Sequence, residues 1–291
     1  MSIKSQETIQ DADDLKIFFR SWRPETKVRA TVVIVPGFNA HSGYYEHVAE
    51  HLVADGLSVY AVDLRGRGNS EGERFFVESF DDYVRDVEAV MEIAKTREPA
   101  LPMFMLGHSA GGVVACLYTL DHPADLTGLI CESFAHELPA PDFVLSVFKG
   151  LSHLAPHAHI LHLPNERFSR DPVVVEAMNN DPLIENETQP TQTMAAMVRA
   201  DERLKQNFPQ ITLPVLILHG TEDKNTRPSG SQHFYDNAGS PDKTLKFYEG
   251  GFHDLLNDVD KEVVLADIIG WINAHLVVTA HIPEELPALA H

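Results

Sequence analysis

Gly107-His108-Ser109-Ala110-Gly111 sets a serine between two glycines, each two residues away. The apolar run Pro102-Met103-Phe104-Met105-Leu106 before it has the length of a buried strand. After it, Gly112-Val113-Val114-Ala115-Cys116-Leu117-Tyr118-Thr119-Leu120 reads as a helix that stops at His122-Pro123. A serine on a sharp strand-to-helix turn is a nucleophile elbow. Such a turn brings strand and helix backbones so close that glycines are needed beside it, and it holds the serine in an unfavourable backbone region. In a chain with 17 Gly, chance would place G-x-S-x-G only roughly 0.05 times.

Outward from the elbow, apolar strand-like runs alternate with helical patterns. Strands are expected at Ala30–Val35, Leu57–Val62 and Leu126–Cys131, with helices over Tyr44–Asp55 and Phe80–Lys95. Glu7–Gln10 and Leu15–Trp22, around Asp11-Ala12-Asp13-Asp14, read as an antiparallel hairpin at one edge. Alternation lapses between Phe134 and Thr212, a stretch of helical flavour broken by Pro139, Pro141, Pro156, Pro164, Pro172, Pro182 and Pro190. It resumes with strands at Val215–His219 and Thr244–Tyr248 and helices at Ser229–Ala238 and Lys261–His275. The pattern predicts an α/β fold with a mostly parallel sheet covered by helices on both faces. Residues 1–133 and 213–276 form the expected core. The interruption, 134–212, is too long for a structureless loop and is expected to be an inserted helical cap. Residues 277–291 are a tail.

The net charge of −20 argues against nucleic acid or an anionic membrane surface as an electrostatic partner. No apolar run approaches the length of a membrane span, and the start, Met1-Ser2-Ile3-Lys4-Ser5-Gln6-Glu7, has no apolar core of signal-peptide length. The two cysteines, Cys116 and Cys131, read as buried thiols, and the expected location is cytoplasmic. Nothing in the pattern specifies an oligomeric state.

A serine hydroxyl is a weak nucleophile until a base takes its proton and a carboxylate orients that base. On an elbow of this kind the partners follow in the order Ser, acid, His, on loops after later strands. Val215-Leu216-Ile217-Leu218-His219 runs into Gly220-Thr221-Glu222-Asp223, and Thr244-Leu245-Lys246-Phe247-Tyr248 into Glu249-Gly250-Gly251-Phe252-His253. The predicted triad is therefore Ser109, Asp223 and His253, with Glu222 and Asp254 as neighbouring alternatives for the acid. The oxyanion hole is expected from the backbone N–H groups of Ala110 and Phe38, the latter in the loop Pro36-Gly37-Phe38-Asn39.

These motifs sit in company. Together with the elbow, Pro36-Gly37-Phe38-Asn39-Ala40-His41-Ser42-Gly43-Tyr44-Tyr45, Asp63-Leu64-Arg65-Gly66-Arg67-Gly68-Asn69-Ser70-Glu71-Gly72, Asn180-Asp181-Pro182-Leu183 and the run Asp242 to His253 resemble the monoacylglycerol lipase and lysophospholipase branch of the α/β-hydrolases. The similarity spans about residues 28–276. It implies an eight-stranded sheet, an inserted cap, no cofactor, and hydrolysis of esters with an apolar acyl chain. Two positions depart from the family pattern: Pro36 stands where a His is usual, and Arg67 where Gly-His-Gly is usual. The first leaves open how the oxyanion loop is supported and what the substrate preference is. Asp63 and Arg65 read as loop-bracing residues.

Within the insertion, Phe143, Val147 and Leu151 recur at helical spacing, with Phe148 widening the apolar face. Such a helix either packs on the core or walls an acyl-chain pocket and touches a lipid interface. His153, His157, His159 and His162 invite a metal reading, but no cysteine or carboxylate sits at ligand spacing, and none is expected. The expected function is a serine carboxylester hydrolase. A thioesterase, an acyltransferase and an amidase or peptidase would use the same triad, whereas a non-enzymatic binding member would typically lack part of it. Dehalogenase or epoxide hydrolase chemistry would want Asp at the elbow.

Overall fold

A computed structural model describes residues 2–137 and 150–279, the side chains of 277–279 excepted. Its strands are β1 (Ser2–Gln10), β2 (Lys16–Pro24), β3 (Ala30–Val35), β4 (Leu57–Val62), β5 (Met103–His108), β6 (Gly128–Glu132), β7 (His159–His162), β8 (Thr188–Pro190), β9 (Val215–Gly220) and β10 (Lys243–Tyr248). Eight of them make one sheet in the order β1-β2-β4-β3-β5-β6-β9-β10. The β1–β2 hairpin is antiparallel and joins β4 antiparallel, and every other pairing is parallel. The edge hairpin is longer than its apolar pattern suggested, because β1 reads Ser2-Ile3-Lys4-Ser5-Gln6-Glu7-Thr8 and is half exposed along its length. An edge strand of that kind carries no run of apolar residues to announce it.

Among the described residues the α-helices with both ends placed are α1 (Glu46–Ala54), α2 (Phe80–Arg97), α3 (Ala110–Asp121), α4 (Pro172–Asn179), α5 (Thr191–Asn207), α6 (Pro228–Asn237) and α7 (Lys261–Thr279). Side chains alternate across each strand, so β3 sends Val32 and Ile34 to the layer under α1 and α7, and Val33 and Val35 to the layer under α2, α3, α5 and α6. Helix α3 is buried from Ala110 through Thr119 and apolar nearly all round, as a helix walled in on every side must be. Among the described residues no helix is long and apolar enough to cross a membrane.

The region 150–212 is not wholly helical. β7 and β8 pair antiparallel as a separate two-stranded sheet. β8 is only Thr188-Gln189-Pro190, and its pairing with β7 is a long-range choice that no local pattern encodes. Helix α5 places Met194, Ala196, Met197, Ala200 and Leu204 in the same apolar layer as α3. Phe168, Met178 and Ile184 form a separate small cluster.

Candidate active site

Ser109 follows the last residue of β5 and precedes the first of α3, at φ +54° and ψ −119°. That left-handed conformation is costly for a residue with a side chain and persists only when its surroundings impose it. A Cβ on Gly111 would lie 2.1 Å from the Val35 carbonyl oxygen, and one on Gly107 would lie 2.5 Å from that of Gly111. Both glycines are thus required by close backbone approach. Asp223 lies on the loop after β9 and His253 on the loop after β10, and adjacent parallel strands deliver both beside the elbow. The Ser109 hydroxyl donates to His253 Nε2 at 2.8 Å, and His253 Nδ1–H donates to Asp223 Oδ2 at 2.7 Å. Of the alternative acids, Glu222 is exposed and Asp254 turns its carboxylate to Asn257.

Asp223 is held by more than the histidine. Its Oδ1 accepts from the backbone N–H groups of Asn225 and Thr226 at 2.7 and 3.0 Å, and its Oδ2 accepts from the Thr226 hydroxyl at 2.7 Å. Burial alone would raise its pKa. The facing His253 and His219 outweigh burial and hold the carboxyl far below the usual carboxylate range.

Three further buried groups surround this chain: His108, Glu132 and Asp254. Burial, with His253 nearby, pushes His108 down to about 3, which keeps it neutral. Burial, then the charge of Asp254, holds Glu132 well above its ordinary value, and burial lifts Asp254 to about 6. Glu132 joins the two sides of the site. Its backbone carbonyl accepts from Ser109 N–H at 2.9 Å, and its side chain accepts from Leu255 N–H at 2.8 Å. The sequence reading did not single it out, although a glutamate ending the apolar run Gly128-Leu129-Ile130-Cys131 was a signal that it has a partner.

The loop 36–39 approaches the elbow closely, since a Cβ on Gly37 would lie 2.8 Å from Ser109 Cβ. Ala110 opens α3, so its N–H is one of those the helix leaves without an intrahelical acceptor. What holds this loop is the other departure from the family pattern. Arg67 is fully buried, pairs with Glu187, donates to Gln189 at 2.8 Å, and places its guanidinium 4.2 Å from the Phe38 ring centroid. Glu187 in turn accepts from Asn39 N–H at 2.9 Å. Asp181 ties the same loop further along, accepting from His41 and from the Tyr44 hydroxyl at 2.8 Å each. Asp63 accepts from the backbone N–H groups of Ser42 and Asn69, while Arg65 is bound by Asp11, Asp13 and Asp86.

Arg67→Met leaves Glu187 buried without its charge partner, and a loss of about 3–5 kcal/mol in unfolding free energy by urea titration is expected. Pairing it with Glu187→Met should recover most of that loss while removing the acceptor of Asn39 N–H. The double variant is therefore expected to stay folded with a reduced kcat. An unchanged kcat would make the pair a scaffold feature alone.

Of the residues expected to contact substrate, Phe143, Val147 and Phe148 lie outside the described residues. Leu151 is 40% exposed, and Leu154 nearby is 85% exposed. Phe168, unnoticed in the sequence as a lone aromatic, meets the His253 ring edge-on at 5.1 Å, and its carbonyl accepts from Asp254 N–H at 2.8 Å. The histidines that invited a metal reading are dispersed: His157 bonds Glu73, His159 bonds Thr188, and His162 bonds the Glu187 carbonyl.

A serine in an elbow at the carboxyl edge of a mostly parallel eight-stranded sheet, with helices on both faces, defines an α/β-hydrolase fold. The profile described as serine aminopeptidase, S33 (Hydrolase_4) matches residues 26–260, and the chain belongs to that family. It is 33% identical over 278 residues to a monoacylglycerol lipase of Mycolicibacterium smegmatis, covering 94% of this chain and 99% of that one. It is 32% identical over 268 residues to human monoglyceride lipase, covering 90% and 88%. The crystal structure of Paleococcus ferrophilus monoacylglycerol lipase superposes with a TM-score of 0.80 at 28% identity, covering 89% of this chain and 99% of that one. The chain is a carboxylester hydrolase.

Proposed function

We propose that this enzyme hydrolyses esters with an apolar acyl chain, of monoacylglycerol or lysophospholipid kind, through Ser109, His253 and Asp223. The observation that carries the reading is the buried hydrogen-bonded chain from the Ser109 hydroxyl through His253 to Asp223. Ser109 Oγ attacks the ester carbonyl carbon while His253 Nε2 takes its proton. Asp223, ionised throughout, holds the Nδ1–H tautomer and stabilises the imidazolium. The N–H groups of Phe38 and Ala110 receive the oxyanion, each contributing about 2.7–4 kcal/mol to the transition state. As the tetrahedral intermediate collapses, His253 returns the proton to the leaving alcohol. Water then attacks the acyl-Ser109 ester as His253 takes its proton, and when this second intermediate collapses His253 returns the proton to Ser109 Oγ and the fatty acid leaves.

The names of the relatives support the substrate class, since the mycobacterial and human proteins are monoacylglycerol and monoglyceride lipases. The exposed Leu151, Leu154, Ile160 and Val173 support a cap over 134–212 that meets an apolar phase. In this reading Phe143, Val147, Phe148 and Leu151 flank the acyl chain, and no cofactor takes part. A series of p-nitrophenyl esters tests it. Each buried methylene contributes about 0.8 kcal/mol, so kcat/KM is expected to rise about fourfold per added CH₂ until the pocket is filled. A flat profile would remove the acyl pocket, and faster turnover of aminoacyl amides or acyl-CoA would replace the ester reading.

A further inference from the structure

Away from the active site, three side chains converge where the loop after β6 meets α6. His136 is fully buried, while His233 and Glu137 are each about one-third exposed. His136 Nε2 lies 2.9 Å from His233 Nδ1, and His233 Nδ1 lies 3.4 Å from Glu137 Oε1. We propose that His136, His233 and Glu137 form a binding site for a divalent transition cation of the zinc class, with solvent in the remaining coordination position.

Four features favour a cation over a chance meeting of polar groups. The first is the supporting shell. His136 Nδ1–H donates to Asp201 on α5, which puts the lone pair on Nε2, facing His233, and reproduces the carboxylate–histidine arrangement that orients metal ligands. Glu137 Oε2 accepts from the Ser229 hydroxyl at 3.0 Å, so this carboxylate is oriented as well. The second is rigidity. The His136 ring is fixed against Phe134 and Phe208, and a Cβ on Gly230 would lie 2.0 Å from the His136 carbonyl oxygen, so α6 sits directly on this backbone.

The third is backbone conformation. Glu137 adopts φ +61°, an unfavourable value for a residue with a side chain, and its carboxylate reaches both His233 and Ser229 on α6. The fourth is spacing. All three ligand atoms lie within 4.8 Å of one another. Tetrahedral zinc with bonds of about 2.0–2.1 Å sets ligand atoms about 3.3 Å apart, so the two rings need to part by only a few tenths of an ångström. Without metal, one proton sits between the two facing nitrogens. Binding needs His233 only to shift that proton from Nδ1 to Nε2, with no net change in charge.

Among the described residues two other groups have comparable spacing and a weaker claim. His108, Glu132 and Asp254 are closed off in the core behind His253. His47, His51 and Glu262 are surface side chains, each more than one-third exposed. The proposed site also has a structural consequence. A cation there fastens the last described residues before segment 138–149 to both α5 and α6.

The full-length protein, stripped with EDTA and titrated with Zn²⁺ by calorimetry, is expected to bind one equivalent at this site and to melt at a higher temperature. Mg²⁺, which prefers oxygen ligands, should do neither. His233→Ala and Glu137→Gln change partly exposed side chains and should fold. Each is expected to weaken zinc binding at least tenfold, Asp201→Asn by about 10–100-fold, and His51→Ala not at all. Zinc binding by His233→Ala at parental affinity, loss of the parental site in His51→Ala, or no stoichiometric zinc in the parent would each overturn the site.

Discussion

Ser109→Ala is expected to lower kcat on a p-nitrophenyl ester by about 10⁶-fold, with the protein folded and its KM little changed. The size of the effect follows from the coupling of the chain. Without the hydroxyl, His253 and Asp223 have no nucleophile to activate, so losing one member costs nearly as much as losing them all. What remains is the oxyanion hole and substrate positioning, together about 10³–10⁴ over water. The fold should survive because the elbow is imposed by the glycines at 107 and 111 and by the bond from Ser109 N–H to Glu132, none of which needs the hydroxyl. Stopped assays with enough enzyme to see the residual rate would decide the matter. Turnover within tenfold of the parent would end the serine mechanism.

Asp223→Asn is the second large effect, about 10⁴ in kcat. The amide has nearly the shape of the carboxylate, so packing is preserved. It offers an N–H₂ where His253 Nδ1–H now finds an acceptor, and it no longer offsets an imidazolium. His253 then places its proton on Nε2, facing Ser109, and cannot receive another. Glu132→Gln is the informative partner variant. Glu132 is also buried in the site, but burial and the charge of Asp254 hold its pKa well above the ordinary value, in the direction of the neutral form that glutamine resembles. A loss of less than tenfold at neutral pH is expected there. Equal losses in the two variants would remove the contrast between a carboxyl held below its ordinary range and one held above it.

These contrasts mark what could be read in the linear chain. Ser109, Asp223 and His253 were legible because each follows a strand whose residues are apolar enough to be recognised locally, and because parallel strands all send their carboxyl ends to one edge of the sheet. Arg67 was visible as a departure from a family pattern, but its partner Glu187 lies 120 residues away, and only folding puts the two together. Glu132 was hidden for a different reason. A glutamate ending an apolar run signals a partner, but which groups meet it is set by folding, which brings Ser109 and Leu255 to it. β7 and β8 escaped because short strands draw their stability from the partner rather than from their own composition.

The sequence by itself determined the fold class and the order of the proposed reaction centre: an elbow, an acid and a base, each after a strand whose apolar run is legible locally. Tertiary structure alone decided what surrounds that centre. The pKa shifts of Asp223, Glu132 and Asp254, the bracing of the loop 36–39 by Arg67 and Glu187, and the meeting of His136 with His233 all depend on distance and on exclusion of water. Those quantities exist only between segments remote in the chain, because the energy of a charge or a lone pair is set by what the fold places beside it.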